Sequence, residues 1–149
     1  MSGAEKNATP LAWGLAAAAA ALNVLAYALS LYELAWFDEA LHAFTLFALT
    51  FIVACLLRRD LAAARMLPYC AILVACGLAL GTLWEFAEWG YDMFSRGNSI
   101  LGKQDTMVDL VLDTVGAVLA ALLALARARQ ARTWSTRHRP HTRHAKALR

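Results

Sequence analysis

Charged side chains are few in this chain, 17% of 149 residues, and cysteine and proline are fewer still, at three each. The cysteines (Cys55, Cys70 and Cys76) form no CxxC pair and are odd in number. That excludes a disulfide framework and a thiolate metal site, and leaves them as small buried hydrophobes. No glycine-rich loop that would cradle a phosphate is present, and no Ser or Cys stands beside His42 as an activated nucleophile would. The paired Glu-x-x-His motifs of a di-iron carboxylate bundle are missing as well. Linkers are short, no internal repeat is visible, and no connection would hold a soluble domain of its own.

What the chain does have is oil. Apolar residues make up 60% of it, with a mean hydropathy of +0.49, beyond what a core of this size would bury. Four runs account for the excess: residues 11–29, 36–57, 68–89 and 107–126. Each approaches the roughly 20 residues that cross about 30 Å of hydrocarbon as a helix. The expected fold is all-α, a polytopic four-transmembrane-helix bundle formed by residues 1–126. The first run has a small-x-small triplet at its end, Ala26-Tyr27-Ala28, as a cleaved signal would. It is long for a signal core, however, and Thr9-Pro10 reads as a helix cap followed by a first-turn proline, so the span is expected to be retained.

Residues 127–149 differ in kind. They hold eight Lys/Arg, three His and no acid, which predicts a disordered basic tail attracted to anionic headgroups. No nucleic-acid-binding fold accompanies that charge, so lipid rather than nucleic acid is the expected partner. With four spans, Lys6, Arg58, Arg59, Arg65 and the tail fall on one side of the membrane, which the positive-inside rule makes cytoplasmic, N-in and C-in. Nine of the eleven acids gather at the opposite, outer end.

Those acids are aligned on helix faces. In "WFDEALHAF", Asp38 and His42 are four apart and share a face, which Thr45 continues. In "GTLWEFAEWGYDMF", Glu85, Glu88 and Asp92 lie on one side, and Gly77 and Gly81 extend it inward. Asp105, Asp109 and Asp113 drift slowly round the last helix towards Gly116. Glycines permit close helix approach, so Gly77, Gly81 and Gly116 are expected to turn the acidic faces into the bundle. An Asp near mid-membrane costs about 2.5–3.5 kcal/mol on insertion scales. Protonation, a bound cation or water in a cavity would relieve that cost. The ligand set anticipated for a metal is Glu85, Glu88, Asp109 and Asp113. Asp38 and His42 stand as the proton-handling, catalytic pair. Carboxylates with one imidazole suit Mg²⁺, Mn²⁺ or Ca²⁺, and Zn²⁺ less well. Glu39, together with Trp36, Trp84, Trp89 and Tyr91, reads as interfacial decoration.

The combined pattern Asp38-x3-His42, Trp84-Glu85-x2-Glu88 and Asp105-Thr106-Met107-x-Asp109-x3-Asp113-Thr114-x-Gly116-Ala117 resembles YjdF-type bacterial inner-membrane proteins. It is also distantly similar to VanZ-like membrane proteins. Those commonly carry Gln at the position of Glu88 and Asn at that of Asp113, so the acids here favour the YjdF side. The resemblance implies a multi-pass protein of the bacterial cytoplasmic membrane and supplies no reaction. The residues themselves lead to a cation site, serving a metal-dependent enzyme that acts on a membrane-embedded or lipid-linked substrate. A proton- or cation-coupled transporter of small molecules is the first alternative, and a non-catalytic assembly or resistance factor the second.

Overall fold

Leucine, alanine and valine runs with few interruptions can satisfy their backbone in hydrocarbon only as helices. The computed structural model, which describes residues 3–58, 65–95 and 102–137, has that form. Helices α1 (Gly3–Ala28), α2 (Ala35–Leu56), α3 (Met66–Ser95) and α4 (Lys103–Arg137) are joined to one 3-10 turn, Leu31–Glu33, with no strand among the described residues. Each helix contains a stretch long and apolar enough to cross a membrane: Thr9–Ala28, Trp36–Leu56, Met66–Ser95 and Lys103–Gln130. The protein is an all-helical, multi-pass membrane protein.

The helices outrun the apolar segments. "GYDMFS", which follows the third apolar run, continues α3 to Ser95, because no proline interrupts it and Gly90, its poorest helix former, costs only about 1 kcal/mol. Likewise α1 starts at Gly3, so Pro10 lies inside it rather than in its first turn. Beyond Ala126, α4 continues to Arg137 through residues that are mostly Ala, Arg and Gln, all good helix formers. Arg59, Arg96 and residues 138–149 of the basic segment lie outside the described residues.

Packing follows small residues. On α3 the buried positions are Tyr69, Leu73, Gly77, Gly81 and Glu85, one every fourth residue, a single ridge. On α1 they are Ala12, Ala19 and Ala26, seven apart. Helices α2 and α4 make the most extensive contact, α3 lies against both, and α1 packs mainly on α2. A backbone-to-backbone approach makes the α2–α4 contact possible: a Cβ built at Gly116 would collide with the carbonyl oxygen of Ala43. Large apolar side chains such as Leu67, Leu83, Val111 and Leu119 remain exposed on the outside, where lipid would meet them.

The two ends of the bundle differ. One half is filled by Phe51, Ala54, Tyr69, Leu73, Ala120, Ala121 and Ala124. Arg127 caps it over the Phe51 ring, 5.5 Å from the centroid, and Arg129 donates to the Met66 sulfur. The other half carries the acids. This polarity gives the topology a direct test. In a background lacking Cys55, Cys70 and Cys76, Phe94→Cys should label with an impermeant thiol reagent in intact cells, and Met66→Cys should not. Labelling of Met66→Cys alone would reverse the N-in/C-in orientation.

Candidate functional site

Asp38 and His42 stand in the first two turns of α2, Asp109 and Asp113 in the second and third of α4, and Glu85 and Glu88 near the end of α3. Since α3 runs antiparallel to the other two, these positions meet at one level. His42 is at the centre. Its Nδ1 lies 3.2 Å from Asp113 Oδ1, and its Nε2 lies 3.8 Å from Asp38 Oδ1. A carboxylate accepts, so Nδ1–H donates to Asp113, which fixes the ring orientation and leaves Nε2 facing the remaining acids.

Two sets of side chains bring one ligating atom each within 4.8 Å of one another: Asp38, His42 and Asp109, and His42, Glu85 and Glu88. Both share the imidazole. Thus His42, assigned from sequence to proton handling, sits among the atoms close enough together to hold a metal ion. Asp113, assigned to the metal, stands outside both groups and holds the ring from behind. Glu39 belongs to neither.

Burial sharpens the chemistry. Glu85 is 5% exposed, Asp109 4% and Asp113 0%. Neither Glu85 oxygen makes a hydrogen bond to a described residue, although Thr106 stands close by, and Asp113 Oδ2 makes none either. Buried polar atoms are ordinarily paired, because an unmade bond costs about 1–3 kcal/mol. Glu88 is held differently: it accepts a 2.8 Å hydrogen bond from Trp84 Nε1, one turn earlier on α3. Trp84 therefore positions a carboxylate as well as marking the interface. The glycines set the spacing. Asp113 Oδ2 fills the place a Cβ at Gly81 would take, and at Gly77 that place is shared by Ala117 Cβ and Thr50 Oγ1.

One feature of the site escaped sequence reasoning. Asn23 donates from Nδ2 to Ala19 O (2.9 Å) and Thr45 Oγ1 (3.1 Å), and its Oδ1 accepts from Tyr32 Oη at 2.8 Å. This chain ties α1 and the 3-10 turn to α2 one turn below His42. Burial, with the charges of Asp38 and Glu88, pushes the Tyr32 phenol up to about 12, so it remains a donor. The hints in the sequence were Asn23, a polar residue within the first apolar run, and Thr45 on the face of Asp38 and His42.

No curated protein and no solved structure matches the chain. A family model described as "Predicted membrane protein" (DUF2238) matches residues 7–130. The YjdF-type resemblance fits that family, whereas similarity to VanZ-like proteins is not shown by it. With four spanning helices and a match over most of its length, the chain belongs to this family of predicted membrane proteins of unknown function.

Proposed function

We propose that the carboxylate and histidine cluster binds a divalent cation, Mg²⁺, Mn²⁺ or Ca²⁺ ahead of Zn²⁺, at the outer face of the membrane. In this reading the protein is a metal-dependent enzyme acting on a membrane-embedded or lipid-linked substrate. The observation that carries it is Glu85, a buried carboxylate beside His42, Glu88 and the Thr106 hydroxyl, with neither oxygen in a well-formed hydrogen bond to a described residue. Side chains from three helices converge there, which a merely interfacial role would not require. Hard oxygen donors with one imidazole suit the named ions. Asp38, whose side chain is 20% exposed, handles the proton, and Asp113 keeps His42 Nε2 turned towards the ion. Below the cluster the bundle is packed with apolar side chains. That favours binding and release on one side over passage through the bundle.

Metal analysis of the purified protein and cation-dependent thermal stabilisation test this. A ligand at 100 times its Kd adds about 2.7 kcal/mol to apparent stability. Wild type should therefore gain a clear Tm increase with Mn²⁺. Glu88→Gln and Asp109→Asn should express and fold but lose most of that gain, while Glu39→Gln keeps it. Absence of any cation-dependent shift in wild type would overturn the reading.

A further inference from the structure

Beside the candidate cation-ligating groups, on the side of α1, lies a small, partly open cleft of about 10 Å³, room for one water-sized group. Its polar wall is made by Asn23, Tyr32, Thr45, Asp38 and His42, and Trp84 with two leucines closes the rest. Among the described residues no Lys or Arg lines it.

The direction of each hydrogen bond in this wall can be worked out. Ala19 O can only accept, so the Asn23 atom facing it is the NH₂ nitrogen, and the amide orientation is fixed. The second NH₂ hydrogen goes to Thr45 Oγ1. Asn23 Oδ1 must then accept, and Tyr32 must donate its only hydroxyl hydrogen to it. Towards the cleft Tyr32 Oη has only lone pairs left to offer, Thr45 Oγ1 keeps one lone pair beside its own O–H, and Asp38 adds a carboxylate. The wall therefore offers more acceptors than donors, the Thr45 hydroxyl and, in a protonated ring, His42 Nε2 being the groups left to donate among the described residues. Charge points the same way: Asp38 is in the wall, and Glu85, Glu88 and Asp109 stand close by around His42. These acids disfavour an anion there.

We propose that this cleft receives a primary ammonium group, borne by a lipid headgroup or by a free amine, as the polar end of the substrate. The proposal rests on the reading that the adjoining cluster acts on a substrate, and it adds the substrate's class. Phosphate and carboxylate headgroups would meet more acceptors than donors, with the Asp38 carboxylate among them. A trimethylammonium group carries the charge but has no N–H for Tyr32 or Thr45, and it is bulkier. Selectivity among cations is thus a matter of hydrogen bonds, which charge attraction to an acidic surface would not supply.

The test uses the full chain in detergent, with and without Mn²⁺, and thermal stabilisation as the readout. Dodecylamine should stabilise wild type at about tenfold lower concentration than dodecyltrimethylammonium, the scale expected for a hydrogen bond to a charged group. Dodecyl phosphate should not stabilise it. Tyr32→Phe should remove most of that preference and leave the Mn²⁺ shift intact, and Thr45→Val, nearly isosteric, serves as the second variant. Ethanolamine against phosphatidylethanolamine, the latter compared with phosphatidylcholine, separates the free amine from the lipid as source. An equal response to primary and quaternary amphiphiles, or a preference unchanged in both variants, would overturn the ammonium subsite. A retained preference in a protein with no Mn²⁺ response would overturn the metal reading alone.

Discussion

Gly116→Ala should be the most damaging single-methyl change in the protein. The added Cβ would collide with the Ala43 carbonyl oxygen and lie 2.9 Å from the Phe47 amide nitrogen. Both are backbone atoms and cannot rotate aside, so α4 must move off α2. Overpacking a well-filled interior costs about 1–3 kcal/mol, and here the upper end applies because two helix backbones are involved. Gly14→Ala and Gly90→Ala are matched controls, since a Cβ at either meets nothing within 4 Å. Each should be neutral or slightly stabilising through helix propensity. Gly77→Leu and Gly81→Leu should also destabilise, against Ala79→Leu on the exposed side of α3. Thermal unfolding in detergent reads all of these. A Gly116→Ala midpoint equal to that of Gly90→Ala would contradict the close approach of α2 and α4. Separation of these helices would also draw Asp109 and Asp113 away from His42, so cation binding should fall with stability.

His42→Leu should abolish the cation response and also lower stability, for two separable reasons. The cation response is lost because both groups of ligating atoms share the imidazole. Stability falls because Asp113, fully buried, loses the His42 hydrogen bond while its other oxygen has no partner among the described residues. Leaving such a group unsatisfied costs about 1–3 kcal/mol, and more if the charge persists. The double variant His42→Leu/Asp113→Leu removes both partners and should recover most of the stability while remaining blind to Mn²⁺. Two neighbours in contact are expected to be non-additive in this way. Additive losses in the double variant would mean that Asp113 does not depend on His42.

The architecture was readable from composition because hydrocarbon leaves the backbone so few options. Run length gave four spans, and helical spacing gave the small-residue face of α3 that ends in Glu85. Spacing within one helix cannot say which face meets which. His42 and Asp113 are 71 residues apart, and their pairing depends on the register of α2 against α4. That register is set where Gly116 lets the backbones touch. The exchange of places between His42 and Asp113, one among the ligating atoms and one behind the ring, was invisible for the same reason. Asn23 and Thr45 are tied across two helices by a side-chain amide, which no periodicity encodes. Thr50 gave no signal either. Thr114 spends its hydroxyl on the carbonyl four residues back, whereas the buried Thr50 Oγ1 has no such bond and lies against Gly77.

The apolar packing of Phe51, Leu73, Ala120 and Ala121 beneath the acids has an electrical consequence. A full crossing of the membrane changes the energy of one elementary charge by about 2.3 kcal/mol per 100 mV. An ion that enters at the acidic end and halts above Phe51 traverses only a shallow part of that field. Its occupancy should follow the ionic composition of the medium on that side and respond little to membrane potential. Depolarising vesicles that contain the protein should accordingly leave the apparent affinity for Mn²⁺ almost where it was.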